Sequence, residues 1–319
     1  MTRKLTRPSW RTSFLAIVRY ELLWNIRKKK IIGILILAFA LATLTLALPV
    51  ILNNINNKPN EPNPDYVINT GTGIGGFGMF LFALVAVMNS ISGEFESGSI
   101  IPLLTKPVSR TTVYVGKIFA AFLTILGAYV LLIIYIAAGG YIVYGPQNNL
   151  HLLFITLLGS IISTLVWMAI VLAAGSVSKS SMLAALFGIG VWIGLSITSG
   201  ILSVFSNQAW ILTYAPGSGA SGTLGIPTPI NPANITMGGG VSTGTDSIAT
   251  NLITYVLNPT ANVTYFRLEF QGRGQINRIP LNTEPLSLVI ARSIAVAAIY
   301  IFVFNFIAWY ALKRAQVTE

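Results

Sequence analysis

IFAAFLTILGAYVLLIIYIAAGGYIVY, residues 118–144, is an apolar run without a single Asp, Glu, Lys or Arg. A helix rises about 1.5 Å per residue and must cross about 30 Å of hydrocarbon, so about 20 mostly apolar residues span a bilayer, and this run has them. Five further stretches read the same way: Ile31 to Leu52, Ile74 to Ser92, Leu150 to Gly175, Met182 to Ser206, and Leu286 to Leu312, the last with Arg292 as its single charge. The alternating pattern of a membrane barrel is absent, which leaves the helix to satisfy backbone hydrogen bonds in lipid. The fold class is therefore an all-α integral membrane protein with six transmembrane helices.

Composition agrees. Of 319 residues 54% are hydrophobic and 9% charged, against roughly a quarter charged in a soluble domain. Cysteine is absent, which removes disulfides, thiolate metal sites and cysteine nucleophiles. The 20 Lys+Arg against 9 Asp+Glu give a net charge of +11. Such an excess admits nucleic acid or a membrane surface as partner; with so much hydrocarbon-facing sequence, membrane lipids are the expected partner and nucleic acid is not. Short loops rich in Lys and Arg stay cytoplasmic. An inside amino terminus puts the basic run Arg3 to Lys30 on that side, with Lys106, Arg110, Lys117, Lys179, Lys313 and Arg314. Six spans then leave both termini cytoplasmic in a multi-pass plasma-membrane protein.

Residues 1–206 hold the first five spans, and 286–319 hold the sixth and its tail. The loop Asn53 to Thr70 is rich in Asn and Pro and reads as exposed and irregular. Residues 207–285, dense in Gly, Ser, Thr, Asn and Pro, carry strand-like runs at Leu252 to Leu257 and Val263 to Phe270. This extracellular segment is expected to form a small β-rich cap or to stay partly mobile. Asn234 and Asn262 begin its two Asn-x-Thr sequons, candidate glycosylation sites that would make the chain a glycoprotein. At the other end, Trp10 to Arg27 is helix-compatible: Trp10, Phe14, Ile17, Val18 and Leu22 form a stripe suited to a helix lying in the inner interface, although Arg11, Glu21 and Asn25 interrupt it.

Signals for chemistry within the chain are weak. Gly73-x-Gly75-x-x-Gly78 matches a dinucleotide fingerprint, but it opens an apolar span and has no strand before it, so close helix packing is the better reading. His151 stands alone, and no metal site or catalytic residue is expected. Asn89 and Asn305 are polar groups within spans that either bond to other helices or line a polar path. Arg292 either meets an anionic substrate on that path or reaches the outer interface. No acidic group lies inside the spans to bind a driving ion, so uphill transport would draw its energy from elsewhere. A Gly-x-x-x-x-Gly-Lys-Ser/Thr nucleotide loop is likewise absent.

Between the second and third spans runs GEFESGSIIPLLTKPVSRTTVYVGK, residues 93–117. Its acids favour a helix start, and residues 93–106 are expected to form a short amphipathic helix presenting negative charge to the cytosol. Here the sequence resembles the permease subunits of type-2 ABC exporters, through Glu94, Glu96, Gly98, Leu103, Leu104, Pro107, Val108, Ser109, Arg110 and Lys117. It departs from them at Ser99, where the family usually has Thr, and at Pro102. The resemblance implies an exporter permease that pairs as a homo- or heterodimer. It also implies a separate ABC ATPase subunit, holding ATP and Mg, that docks on the coupling helix 93–106. Glu94, Phe95, Glu96, Ser97, Gly98, Pro107 and Arg110 are then the expected partner contacts, and this chain needs no cofactor. A passive channel or facilitator, and a scaffold displaying a glycosylated external domain, are the alternatives.

Overall fold

The computed structural model describes residues 9–27, 29–99, 108–205, 214, 225–228, 247–271 and 275–315. Helix α1 (Trp10–Arg27) precedes α2 (Lys30–Ile55), the short α3 (Tyr66–Thr70), α4 (Gly75–Val87) and the short α5 (Ser92–Glu96). Then come α6 (Arg110–Tyr144), α7 (Leu153–Ser178) and α8 (Ser181–Phe205). Strand β1 (Gly225–Thr228), helix α9 (Ser247–Leu257), strands β2 (Asn262–Gln271) and β3 (Gln275–Pro285), and helix α10 (Leu286–Arg314) complete the order. Among the described residues six helical stretches are long and apolar enough to cross a membrane: Ile32–Ile55, Gly76–Glu96, Arg110–Tyr144, Leu150–Ser178, Ser181–Thr198 and Leu286–Arg314. They match the six runs read from the sequence.

Helix α7 is the axis of the bundle, packing against α4, α8, α9 and α10. Trp167 and Phe80 meet edge to face at 5.2 Å, and Phe82 stacks on Tyr129 at 5.5 Å; all four side chains are fully buried. Local signals set the ends. Ser109 caps α6 by accepting the Thr112 N–H at 3.1 Å, and Gly145, at φ 86°, ends it. Small residues allow close approach at the former fingerprint. A Cβ at Gly73 would fall 2.6 Å from Ile136 Cδ1, and one at Gly78 would fall 3.2 Å from Leu41 Cδ1.

Three local expectations change. The loop Asn53 to Thr70 is not irregular throughout: Tyr66–Thr70 is helical, with Val67 and Ile68 buried. Tyr66 stacks on Tyr144 at 3.8 Å and donates to the Thr45 carbonyl at 2.7 Å, tying α2 to the end of α6. Leu252 to Leu257 is helix, not strand, because the apolar positions of Ser247–Leu257 that are buried, Ile248, Ala249 and Ile253, share one helical face on α7. Val263 to Phe270 lies within β2, which pairs antiparallel with β1 and β3. The helix placed at 93–106 ends at Glu96, and Gly98 at φ 67° turns the chain out of helical conformation. Residues 100–107 lie outside the described residues.

Candidate coupling site

Lys117 lies two turns into α6, about 10 Å beyond Arg110, and its side chain is only 4% exposed. A buried ammonium without partners would cost several kcal/mol, so the fold must bring it acids. Glu21 Oε1 of α1 lies 2.5 Å from Nζ, and Glu94 Oε1 of α5 lies 2.6 Å from it. One lysine on a long helix thus joins two helices that precede it in the chain. Beside it, Gly116 lets α1 lie close: a Cβ there would fall 2.8 Å from Ile17 Cγ2. Phe14 and Phe119 meet one turn away at 5.5 Å.

The packed face of α1 comprises Ser13, Phe14, Ile17, Val18, Glu21, Leu22 and Asn25, each three or four residues from another and so on one side of the helix. Phe14, Ile17, Val18 and Leu22 of the expected stripe are on it. Trp10 is 63% exposed and stacks on Phe14 at 5.6 Å. Glu21 and Asn25, which seemed to interrupt the stripe, belong to the packed face, and Glu21 supplies its strongest bond. The opposite face exposes Leu15, Tyr20, Leu23, Trp24 and Ile26.

Two acids expected to face the cytosol are therefore engaged within the chain. Glu94 turns inward to Lys117, since burying that cation demands it. Glu96 is exposed but accepts the Ser181 N–H at 2.6 Å, meeting one of the unpaired donors at the start of α8 and the positive end of its dipole. Phe95 between them is half-buried against the core, with Lys179 Nζ 5.5 Å from its ring centroid. Arg110, another expected contact, caps the end of α10. Its Nη1 donates to the carbonyls of Lys313 at 2.8 Å, Ala315 at 2.9 Å and Leu312 at 3.3 Å. Ser97 and Gly98 are exposed, with open space beside Gly98. Pro107 lies outside the described residues.

A cavity of about 1130 Å³ opens between α1, the end of α4, α5 and the start of α6. Among the described residues Glu21, Glu94, Glu96 and Lys117 are its charged lining, and Tyr20 and Trp24 contribute aromatic wall. Asn89 is exposed and lines the same cavity. The other two path candidates are placed elsewhere. Asn305 donates to the Ile301 carbonyl at 2.7 Å and accepts the Tyr114 hydroxyl at 2.9 Å, joining α10 to α6. Arg292 sits about 20 Å away along α10, paired with Glu284 Oε2 at 2.9 Å and 5.8 Å from the Tyr214 ring. Of the sequons, Asn262 is exposed at the start of β2, and Asn234 lies outside the described residues.

The three-element ion cluster was not anticipated, yet it left a trace in the sequence. Glu21 is the sole acid before Glu61 and stands inside an apolar helix, and Lys117 stands between Gly116 and an uncharged run. Lone opposite charges in apolar settings call for partners. No curated protein matches the chain. The family model described as ABC-2 family transporter protein matches residues 15–317, from the packed face of α1 to beyond the end of α10, and the chain therefore belongs to this family, the membrane subunits of ABC transporters.

Proposed function

We propose that the chain is the permease of an ATP-driven exporter, a dimer in the plasma membrane whose termini and coupling site face the cytosol and whose ATPase is a separate subunit holding ATP and Mg. The observation that carries this reading is the buried junction of α1, α5 and α6 at Lys117, in a chain matched by the transporter family over residues 15–317. Helices tied by one buried cation move together, so a push at α5 reaches α1 and the long α6 without an intervening loop. In this reading α1 lies in the inner interface, its exposed apolar face toward lipid. The sheet and α9 form part of an outer cap, with Asn234 and Asn262 as acceptors for sugar.

The surface offered to the ATPase is the exposed turn at Ser97, Gly98 and Ser99 with the outer edge of Glu96, while Glu94 holds that turn from within. Replacing Ser97 and Ser99 together by Trp should abolish copurification of the ATPase and leave membrane insertion unchanged. An unchanged pull-down overturns this docking surface. Reconstituted vesicles test the class: flux that needs both the ATPase and ATP supports the exporter, whereas equal flux without the ATPase supports a passive facilitator. No flux in either case, with a function lost on deleting residues 207–285, supports a scaffold.

A further inference from the structure

Helix α5 grips a second part of the bundle besides Lys117. Its Ser92, Phe95 and Glu96 all meet the tight turn between the end of α7 at Ser178 and the start of α8 at Ser181. Glu96 Oε1 accepts the Ser181 N–H at 2.6 Å, Ser92 Oγ lies 3.0 Å from Ser181 Oγ, and the Phe95 ring lies 5.5 Å from Nζ of Lys179, which turns the chain at φ 55°. The contact is close as well as polar: a Cβ at Gly175 would fall 3.3 Å from both Ser92 Oγ and Ala184 Cβ. Elsewhere α8 is thinly held. Of Ser181–Thr198, 17% is buried within the chain, against 72% for a stretch of that length within Leu150–Ser178, and Met182, Leu183, Leu186 and Phe187 are exposed. The first turn of α8 is thus tied to a short helix whose next residues form the exposed turn Ser97–Ser99.

We propose that Glu96 is a positioning residue that carries motion of the Ser97–Ser99 turn into α8, so that the turn has two outlets: through Glu94 to Lys117, α1 and α6, and through Glu96 to α8. The proposal rests on the reading of this turn as the ATPase surface. Helix geometry separates the two acids. Residues two apart lie about 200° apart around a helix axis, so Glu94 turns to α6 while Glu96 turns to α8. The bond at Glu96 is of the strong kind, since a carboxylate on a backbone N–H is charge-assisted and sits at the positive end of the α8 dipole. Glu96 also adjoins Ser97 in the chain, so a shift of the turn pulls on the residue that holds α8. A span exposed along one side has few neighbours to oppose that pull.

The chain has no cysteine, so single nitroxides at Met182→Cys on α8 and Leu15→Cys on α1, both exposed in the parent, report the two outlets separately. Spectra are taken of the full chain with its ATPase subunit, without nucleotide and with ATP and vanadate. Both labels should respond to nucleotide in the parent chain. Ser181→Pro deletes the N–H that Glu96 accepts, at the first position of a helix, where proline is well tolerated. It should abolish the response of α8 and keep that of α1. Ser181→Ala, which loses the hydroxyl but keeps the N–H, should retain both, and Glu96→Gln, which keeps an acceptor without its charge, should diminish the response of α8 alone. A full α8 response in Ser181→Pro overturns the proposal, and equal loss in Ser181→Ala assigns the tie to Ser92 and overturns Glu96. Loss at both labels in Ser181→Pro overturns the division into two outlets; if that variant fails to assemble, Glu96→Gln decides by the same measure. A parent chain in which α1 responds and α8 does not sinks this inference and spares the docking reading, whereas silence at both labels with the ATPase bound sinks both.

Discussion

The two ends of the helical bundle are held together by different chemistry. At the end that carries Trp10 and Arg314, helices are joined through charge: Lys117 between Glu21 and Glu94, Glu96 on the first N–H of α8, and Arg110 on the last carbonyls of α10. At the other end the described helices meet mainly through uncharged contacts. Gly159 of α7 meets α9 so closely that a Cβ would fall 2.6 Å from the backbone of Ala249, and Ile68, Leu152 and Ile253 close a small apolar cluster beside it. Such a seam resists through shape and a few neutral hydrogen bonds, as where Tyr66 meets the Thr45 carbonyl. A charged junction also responds to whatever adds or withdraws charge, which suits the end where a second protein is expected to act.

The largest break in this comparison should come from Lys117→Met. It leaves two carboxylates, 11% and 21% exposed, without their cation at the cavity wall, and loss of one member of a buried ionic group costs up to about 3–5 kcal/mol. Thermal unfolding in detergent should fall accordingly, and the neutral triple variant Glu21→Gln, Lys117→Met, Glu94→Gln should recover most of the loss. A drop in Lys117→Met smaller than that of Arg292→Gln would refute the charged junction as a structural element. Next is Gly159→Leu, which thrusts a side chain against backbone that has no rotamer to yield; overpacking of this kind costs about 1–3 kcal/mol. Hydrogen exchange should quicken in α9 and stay unchanged in α1, whereas Lys117→Met should do the reverse.

Arg110→Ala sharpens the charged side further. It strips a cationic donor from three carbonyls, a loss of about 1.5–3 kcal/mol if they stay unpaired and less where water reaches them. Limited proteolysis should then cut after Trp309 sooner than in the parent chain. The smallest effect belongs to Arg292→Gln. Arg292 and Glu284 are separated by only eight residues, so their contact joins neighbouring segments and not distant helices, at roughly 1 kcal/mol or below. High salt should diminish this change more than the one at Lys117, whose side chain is 4% exposed against 14% for Arg292.

Much of this architecture is written in local pattern. Long uncharged runs such as Ile118 to Tyr144 can satisfy their backbone in lipid only as helices, and the alternation of three and four along Trp10 to Arg27 carries α1 with its bounds. Other features depend on partners far away in the chain. Leu252 to Leu257 is a six-residue apolar run whose periodicity cannot separate strand from helix; what decides it is the face that Ile248, Ala249 and Ile253 turn to α7. The direction of Glu94 is set by Lys117, on the next long helix, and the task of Arg110 is set by carbonyls some 200 residues later. Acids on a loop look like surface charge until a buried cation is found to need them.

The bonds of Arg110 have a consequence for how the protein is made. The cluster at Lys117 draws only on segments already synthesised when α6 emerges, since Glu21 and Glu94 both precede it. The carbonyls that Arg110 holds belong to Leu312, Lys313 and Ala315, synthesised some 200 residues later. Chains are built from the amino end and domains settle in that order, so the same helix is locked at one site early and closed at the other only once α10 has been made. A chain truncated before α10 would keep the first lock and lack the second.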